Sequence, residues 1–288
     1  MVLSKLKSLF GGGPARVVVK ERFAIKGKST LGTMSEVYRA FDKKLGKEVC
    51  LKILDRDKTE KFETRFAGLN KPGEGEIAAA LHHPHIVETF EHGLTSDGMQ
   101  YLVMEWISGD GLLALIESEP RKLEGKRVRC LCQVADALEY LHQQKFLHRD
   151  LCPRNVIVTA DGQAKLIDFG LSVPYRPDFC KPGNRTGTPQ YLAPEVLRRA
   201  PTDHRLDLFA LGVTAYETFT GQLPWGPFES VQVQLTAYGR APTDPREHVP
   251  ELDEATARVL LKSIEPEPAK RFQTAAAFRD AFKKLPKH

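Results

Sequence analysis

His148-Arg149-Asp150-Leu151-Cys152-Pro153-Arg154-Asn155 is the stretch on which the reading of this chain turns. It sets a carboxylate, Asp150, and an amide, Asn155, five residues apart, and a second carboxylate follows in Asp168-Phe169-Gly170, thirteen residues after Asn155. Apolar runs, Val156-Ile157-Val158 and Leu166-Ile167, flank these polar groups. A solvated loop has no use for such neighbours. Short strands that hold acids at their ends do.

Working outward, the segment before this stretch is helical in spacing, with Val128, Leu131, Ala135, Leu138 and Leu141 recurring at three and four residues. Beyond it, helices are expected near 203–220, 254–263 and 274–284, and strands only around 155–159 and 164–167. The first third reads differently: strand formers fill 36–41, 48–54, 86–91 and 101–105, with one helical stretch near 74–81. The fold class is therefore α+β, a β-rich small lobe hinged to a mostly helical large lobe. The expected divisions are 1–14, 15–107 and 108–288. Residues 1–10 place Val2, Leu3, Leu6, Leu9 and Phe10 on one helical face and Ser4, Lys5, Lys7 and Ser8 opposite, before the break at Gly11-Gly12-Gly13-Pro14. That is the pattern of a basic amphipathic tag making weak contact with a membrane surface or a partner.

Composition bounds the function. The chain has 288 residues, of which 41% are hydrophobic and 27% charged, which excludes disorder, collagen and coiled coil. Lys and Arg number 42 against 37 Asp and Glu, and an excess of +5 spread along the chain is no footprint for nucleic acid. Five cysteines without zinc-like spacing read as free thiols in a reducing compartment. His82, His83 and His85, broken by Pro84, have no ligand set beside them. No window approaches the roughly 20 apolar residues of a membrane span, so the expected location is cytoplasmic, at most peripheral to the membrane.

The stretch first quoted fixes five positions of H-R-D-L-x-x-x-N, a match whose chance occurrence is on the order of one in ten thousand, so coincidence is set aside. With Asp168-Phe169-Gly170 it resembles the eukaryotic-like (Hanks-type) serine/threonine protein kinase family, in the style of its bacterial members, over about residues 22–282. The resemblance implies a bilobal fold and ATP- and Mg-dependent transfer of a γ-phosphoryl group to Ser or Thr hydroxyls of protein substrates. It implies Asp150 as the group that takes or orients the acceptor proton, Asn155 and Asp168 as metal ligands, and Lys52, in Val49-Cys50-Leu51-Lys52, as the cation on the α- and β-phosphates. Glu74, or alternatively Glu76, is the carboxylate expected to partner Lys52. Met104, Glu105 and Ile107 should border the adenine, with Gly32 and Val37 over the phosphates and base. Gly187-Thr188-Pro189 through Pro194-Glu195 resembles the substrate-docking end of an activation segment. There Thr188 is expected beside Asp150, Thr186 is the phosphosite candidate for activation by autophosphorylation, and Arg271 should pair with Glu195.

Two features depart from the family. Only Gly32 survives of three loop glycines, Thr30 and Ser35 standing at the others, and a glycine there lets backbone N–H groups approach phosphate. Cys152 replaces a lysine that reaches the γ-phosphate, and a thiol brings no charge. Arg154 is the cation expected to compensate. The reading from another class is a pseudokinase scaffold that binds nucleotide or a partner without efficient catalysis. Retention of Lys52, Asp150, Asn155 and Asp168 favours the enzyme.

Overall fold

The structure, a computed structural model, describes residues 16–29, 35–183 and 185–286. The expected tag and hinge at 1–14, and Gly32 with most of its loop, lie outside the described residues. Two compact units emerge: one of residues up to 70 with 78–80 and 88–106, the other of 71–77, 81–87 and 107 onward.

The first unit is a six-stranded sheet. Strands β1 (Arg16–Val17), β2 (Phe23–Ser29), β3 (Ser35–Asp42), β4 (Lys47–Leu54), β5 (Thr89–Thr95) and β6 (Gln100–Glu105) lie in the order β1-β5-β6-β4-β3-β2, antiparallel except for the β1–β5 pair. Two short helices, α1 (Val19–Arg22) and α2 (Arg56–Glu63), accompany it, the latter capped by the Asp55 carboxylate on the Lys58 N–H. Alternation along β4 decides its faces: Val49, Leu51 and Ile53 join Phe23, Ala40, Tyr101 and Val103 in one apolar cluster. Lys52 falls on the opposite face. At one end of the sheet Arg22 grips Asp42 through Nε–Oδ1 at 3.0 Å and Nη2–Oδ2 at 2.7 Å. The same guanidinium bonds Glu91, which also accepts from Tyr101 Oη at 2.6 Å and Lys44 Nζ at 2.7 Å. Burial works to raise the Glu91 carboxyl, but its three donors, Arg22 first, hold it at about 2.

The strand expected over 86–91 begins only at Thr89. Ile86 and Val87 turn instead to the second unit, where Val87 N donates to Leu166 O at 3.0 Å and Leu166 N to His85 O at 2.8 Å. Helix α3 (Glu74–Ala79) precedes that turn.

In the second unit, β7 (Gly109–Gly111), β9 (Val156–Thr159) and β10 (Ala164–Leu166) form an antiparallel sheet, and β8 (Phe146–Leu147) pairs with β11 (Val173–Pro174). The helices are α4 (Leu112–Ser118), α5 (Arg127–Gln143), α6 (Pro194–Leu197), α7 (Arg205–Thr220), α8 (Val231–Ala237), α9 (Pro245–His248), α10 (Glu254–Ser263) and α11 (Ala275–Phe282). Asp253 caps α10 and Thr274 caps α11 through their side chains. Nearly every residue of α7 is buried, as befits a helix apolar all round. Gly212 lets it approach α10, since a Cβ there would stand 2.5 Å from the Ser263 carbonyl oxygen. Among the described residues no helix is long and apolar enough to cross a membrane. All five cysteines are free.

Candidate functional site

The short strands aim the polar residues. The chain leaves β8 into His148-Arg149-Asp150 and enters β9 directly after Asn155, so the stretch is a loop pinned at both ends. What shapes it is Asp207, fully buried on α7. Its Oδ2 accepts the His148 N–H at 2.9 Å, its Oδ1 the Arg149 N–H at 2.8 Å, and His142 Nε2 lies 2.9 Å from Oδ2. Those bonds hold Arg149 at a φ of +67°, a left-handed conformation that costs a residue with a side chain. Asp150 is thereby presented with its N–H bonded to His148 Nδ1 at 3.2 Å. Burial lowers the His148 pKa, which keeps that ring neutral.

Asp150 Oδ1 accepts two hydrogen bonds from Thr188, one from N and one from Oγ1, each 2.7 Å long. Asn155 Nδ2 donates to the Asp150 carbonyl at 2.8 Å and to Oδ2 at 3.2 Å. Burial pushes the Asp150 carboxyl above its ordinary range, and the Thr188 hydroxyl is the strongest influence opposing it. Thr188 can sit there because Gly187 precedes it. Gly187 has a φ of +131°, and a Cβ on it would fall 2.5 Å from the Arg149 carbonyl oxygen. Cys152 is buried against the same threonine, Sγ to Oγ1 3.8 Å. Burial, and then the Asp150 charge, push its thiol up to about 12, so Cys152 is neutral.

Asp168 follows β10 and Ile167, also in a left-handed conformation, φ +67°. Its Oδ1 accepts the Gly170 N–H at 3.0 Å. Glu74 is beside it: a Cβ on Gly170 would lie 3.1 Å from Glu74 Oε2 and 3.2 Å from Asp168 Oδ1. Glu74 is buried, whereas Glu76 is exposed and caps its own helix by accepting the Gly73 N–H at 3.0 Å. Burial thus sets Glu74, which the interval of ten residues to Pro84 favours, apart from Glu76. Among the described residues no three His, Cys, Asp or Glu side chains gather as a metal cage. The donors at hand are oxygens, the Asp168 carboxylate and the Asn155 Oδ1 left over when Nδ2 bonds Asp150. That set fits Mg²⁺, which takes one or two carboxylates and completes its shell with phosphate and water oxygens.

In the first unit, residues directly opposite across the ladders share a face. Val37 stands opposite Lys52 and Lys52 opposite Leu102, with Cys50 opposite Met104 one step along. Val37, Lys52 and Met104 therefore share one face of the sheet, the one turned from the apolar cluster. Lys52 is 5% exposed, and burying an ammonium requires compensation. Glu105 closes β6, its N–H bonded to the Glu88 carbonyl at 2.9 Å. Ile107 is buried at the start of the second unit's main segment.

Downstream of Asp168, a cavity is lined by Arg149, Asp150, Thr186, Thr188, Tyr191 and Val196 among others. The expected Glu195–Arg271 pair is made and buried, with Nη1–Oε1 and Nη2–Oε2 both 2.8 Å. Arg271 also donates to the carbonyls of Glu265, Arg205 and Pro266. Arg154 is exposed, and no hydrogen bond or ion pair ties its guanidinium to another described residue. Asp207 opens the stretch Asp207-Leu208-Phe209-Ala210-Leu211-Gly212, which resembles the start of the large lobe's buried central helix and is one, but its bonds to the loop amides are not legible in the sequence. Sequence reasoning missed the Tyr191 Oη–Glu217 Oε2 bond of 2.5 Å, which no spacing announces.

Comparison with known proteins agrees with this geometry. The family model described as "Protein kinase domain" matches residues 26–282. The chain is 32% identical over 256 residues to a probable serine/threonine-protein kinase of Streptomyces coelicolor, an alignment covering 86% of this chain and 37% of that protein. It is 32% identical over 261 residues to the serine/threonine-protein kinase pkn3 of Myxococcus xanthus, covering 86% and 47%. Against the serine/threonine-protein kinase PknB of Mycobacterium tuberculosis it is 30% identical over 273 residues, covering 91% and 42%. The chain thus spans less than half the length of these relatives. A loop hung on a buried aspartate, a buried Glu195–Arg271 pair and a family match over nearly the whole length agree: the chain belongs to the protein kinase family, in its bacterial serine/threonine branch.

Proposed function

We propose that this kinase domain transfers the γ-phosphoryl group of Mg-ATP to serine or threonine hydroxyls of proteins. The observation that most supports this is the triple hold on Asp150, by the Thr188 hydroxyl, the Thr188 N–H and the Asn155 amide. An acceptor hydroxyl must lose its proton as it attacks, and a buried carboxylate with raised pKa, fixed in direction, is suited to take it. Asn155 and Asp168 are the residues that would hold Mg²⁺, which when bound neutralises charge on the phosphate oxygens. The first unit offers the Lys52 ammonium for the phosphates, Val37 and Met104 as apolar surface for the base on the same face, and Glu105 at the strand end. Ile107 and the buried Glu74 lie in the second unit. Thr186 lines the cavity that also holds Arg149 and Asp150, which supports it as the site of an activating autophosphorylation, a phosphate and a guanidinium being natural partners.

The test is phosphate transfer from labelled ATP to a generic protein by wild type, Asp150→Asn and Asp168→Asn, with mass spectrometry of the kinase itself. Asp168→Asn should lose at least about a hundredfold, roughly 2.7 kcal/mol of barrier, and phosphate should appear on Thr186 only in the active protein. Equal rates in all three proteins, or no transfer by any, would leave the pseudokinase reading in its place.

A further inference from the structure

Helix α8 inverts the usual order of burial. Val231 and Val233 are 38% and 49% exposed, whereas Gln234, which follows them, is 1% exposed. Taking an amide out of water in place of a valine is costly unless hydrogen bonds replace the lost hydration. Those bonds come from the segment just after Thr188. Gln234 Nε2 donates to the Pro189 carbonyl at 2.6 Å and to Tyr238 Oη at 2.9 Å, and Tyr238 Oη donates in turn to the Leu192 carbonyl at 3.0 Å. Tyr238 is itself wedged between Trp225, Phe209 and Phe228, with ring centroids 4.8, 5.5 and 5.7 Å away. A further tie is the Gln190 side chain, whose oxygen accepts the Phe228 N–H at 3.2 Å.

Residues 189–192 are thus fixed through two carbonyls three positions apart. The turn Pro189–Tyr191 between them is closed by its own bonds, Tyr191 N to Thr188 O at 3.0 Å and Leu192 N to Pro189 O at 3.2 Å. The Pro189 ring locks its φ, so little slack separates this clamp from Thr188. On its other side Thr188 meets the Asp150 carboxylate through N–H and hydroxyl, and meets Cys152 only through the long sulfur contact of 3.8 Å. With a thiol in that place, the restraint on Thr188 from beyond Asp150 falls to the α8 side.

Resting on the serine/threonine transfer reading, we propose that Gln234 is a positioning residue for that reaction: by fixing the Pro189 carbonyl it keeps the Thr188 hydroxyl on Asp150. The buried amide acts through two other residues and touches neither nucleotide nor acceptor. Its loss therefore lowers turnover without weakening the hold on ATP.

The experiment compares wild type, Gln234→Met, Thr188→Val and the double variant on one generic protein substrate, reading kcat, the KM for ATP, Tm, and amide exchange at Thr188. Methionine keeps the length of the side chain and donates nothing. Gln234→Met should lower kcat about tenfold, the rate equivalent of one ordinary hydrogen bond, with an unchanged KM for ATP and faster exchange at Thr188. In the Thr188→Val background the same change should cost less than about twofold, because the hydroxyl it positions is already gone. Tyr238→Phe, which withdraws the donor from Leu192, should show the same pattern and takes the place of Gln234→Met if that variant does not fold. A kcat within about twofold of wild type overturns the proposal, as does a loss of equal size with and without the Thr188 hydroxyl, or one carried by the KM for ATP. Exchange is read without transfer: faster exchange confined to the segment around Thr188, with no phosphate moved by wild type, supports the clamp and removes the transfer reading, whereas unchanged exchange at Thr188 removes the clamp.

Discussion

Thr188→Val isolates the hydroxyl that steadies the Asp150 carboxylate, the group proposed to take the acceptor proton. The two side chains have nearly the same shape, so the change deletes one O–H donor and leaves the Thr188 backbone bond to Asp150 in place. The lost contact is a 2.7 Å bond to a carboxylate oxygen. Hydrogen bonds to charged groups contribute about 1.5–3 kcal/mol. If that stabilisation is used in holding Asp150 for proton transfer, kcat should fall by about 10- to 150-fold. The pH profile should move too. Burial raises the Asp150 pKa, and the Thr188 hydroxyl is the largest influence lowering it. Without it the carboxyl holds its proton to higher pH, so the acid limb of the rate profile shifts upward. Initial rates at saturating ATP from pH 5 to 9 read both effects. Thr188→Ser keeps the donor and should retain most of the rate and the original limb. A Thr188→Val enzyme within about threefold of wild type with an unmoved acid limb would refute the reasoning, as would serine failing as badly as valine.

Arg271→Ala leaves Glu195 buried without its partner and removes the donor to three carbonyls. Breaking such a pair costs about 3–5 kcal/mol, which thermal denaturation should show as a fall in Tm on the order of 10 °C. Glu91→Gln tests the first unit's charge network. The Glu91 carboxyl is depressed from 4.5 to about 2, so its contribution is complete above pH 4.5 and lost as pH falls through 2. The variant should therefore be less stable at neutral pH and lose less on acidification across that window, as urea unfolding at several pH values would reveal. Gly187→Ala drives a Cβ against the Arg149 carbonyl and forces a left-handed residue to carry a side chain. It should lower both kcat and stability, by about 1–3 kcal/mol in the latter, and a variant indistinguishable from wild type in both would show that the segment relaxes freely.

Legibility followed the physical origin of each feature. β4 and α5 could be read because one period runs through each, two residues in 47–54 and three to four in 128–141. β2 escaped reading because Phe23–Ser29 breaks its alternation at a register shift between Ile25 and Gly27, leaving Ile25 exposed. The strand expected from Ile86 began late because its first residues take their partners from β10, a choice of tertiary pairing that local propensity does not encode. At the candidate site, residue types and spacing sufficed to expect Thr188 beside Asp150, where the structure has it. The difference between Glu74 and Glu76 is one of burial and hydrogen bonding, visible only once the helix is placed. The hold of Asp207 on the loop hid for a related reason: its partners are backbone N–H groups, which every sequence has and none advertises.

The attachment of the catalytic loop to Asp207 bears on how the protein is made. The Arg149 N–H finds its acceptor 58 residues later in the chain. During synthesis at about 5–20 residues per second, N-terminal segments leave the ribosome first, so the loop emerges several seconds before the helix that shapes it. In that interval the left-handed Arg149 has nothing to offset its strain, and Asp150 points nowhere in particular. A nascent or truncated chain ending before α7 carries the whole signature stretch, with Asn155 and Asp168, yet lacks the buried acceptor that holds the Arg149 N–H. The arrangement of the loop thus rests on a contact long-range in sequence, formed only once the helix that carries Asp207 is in place.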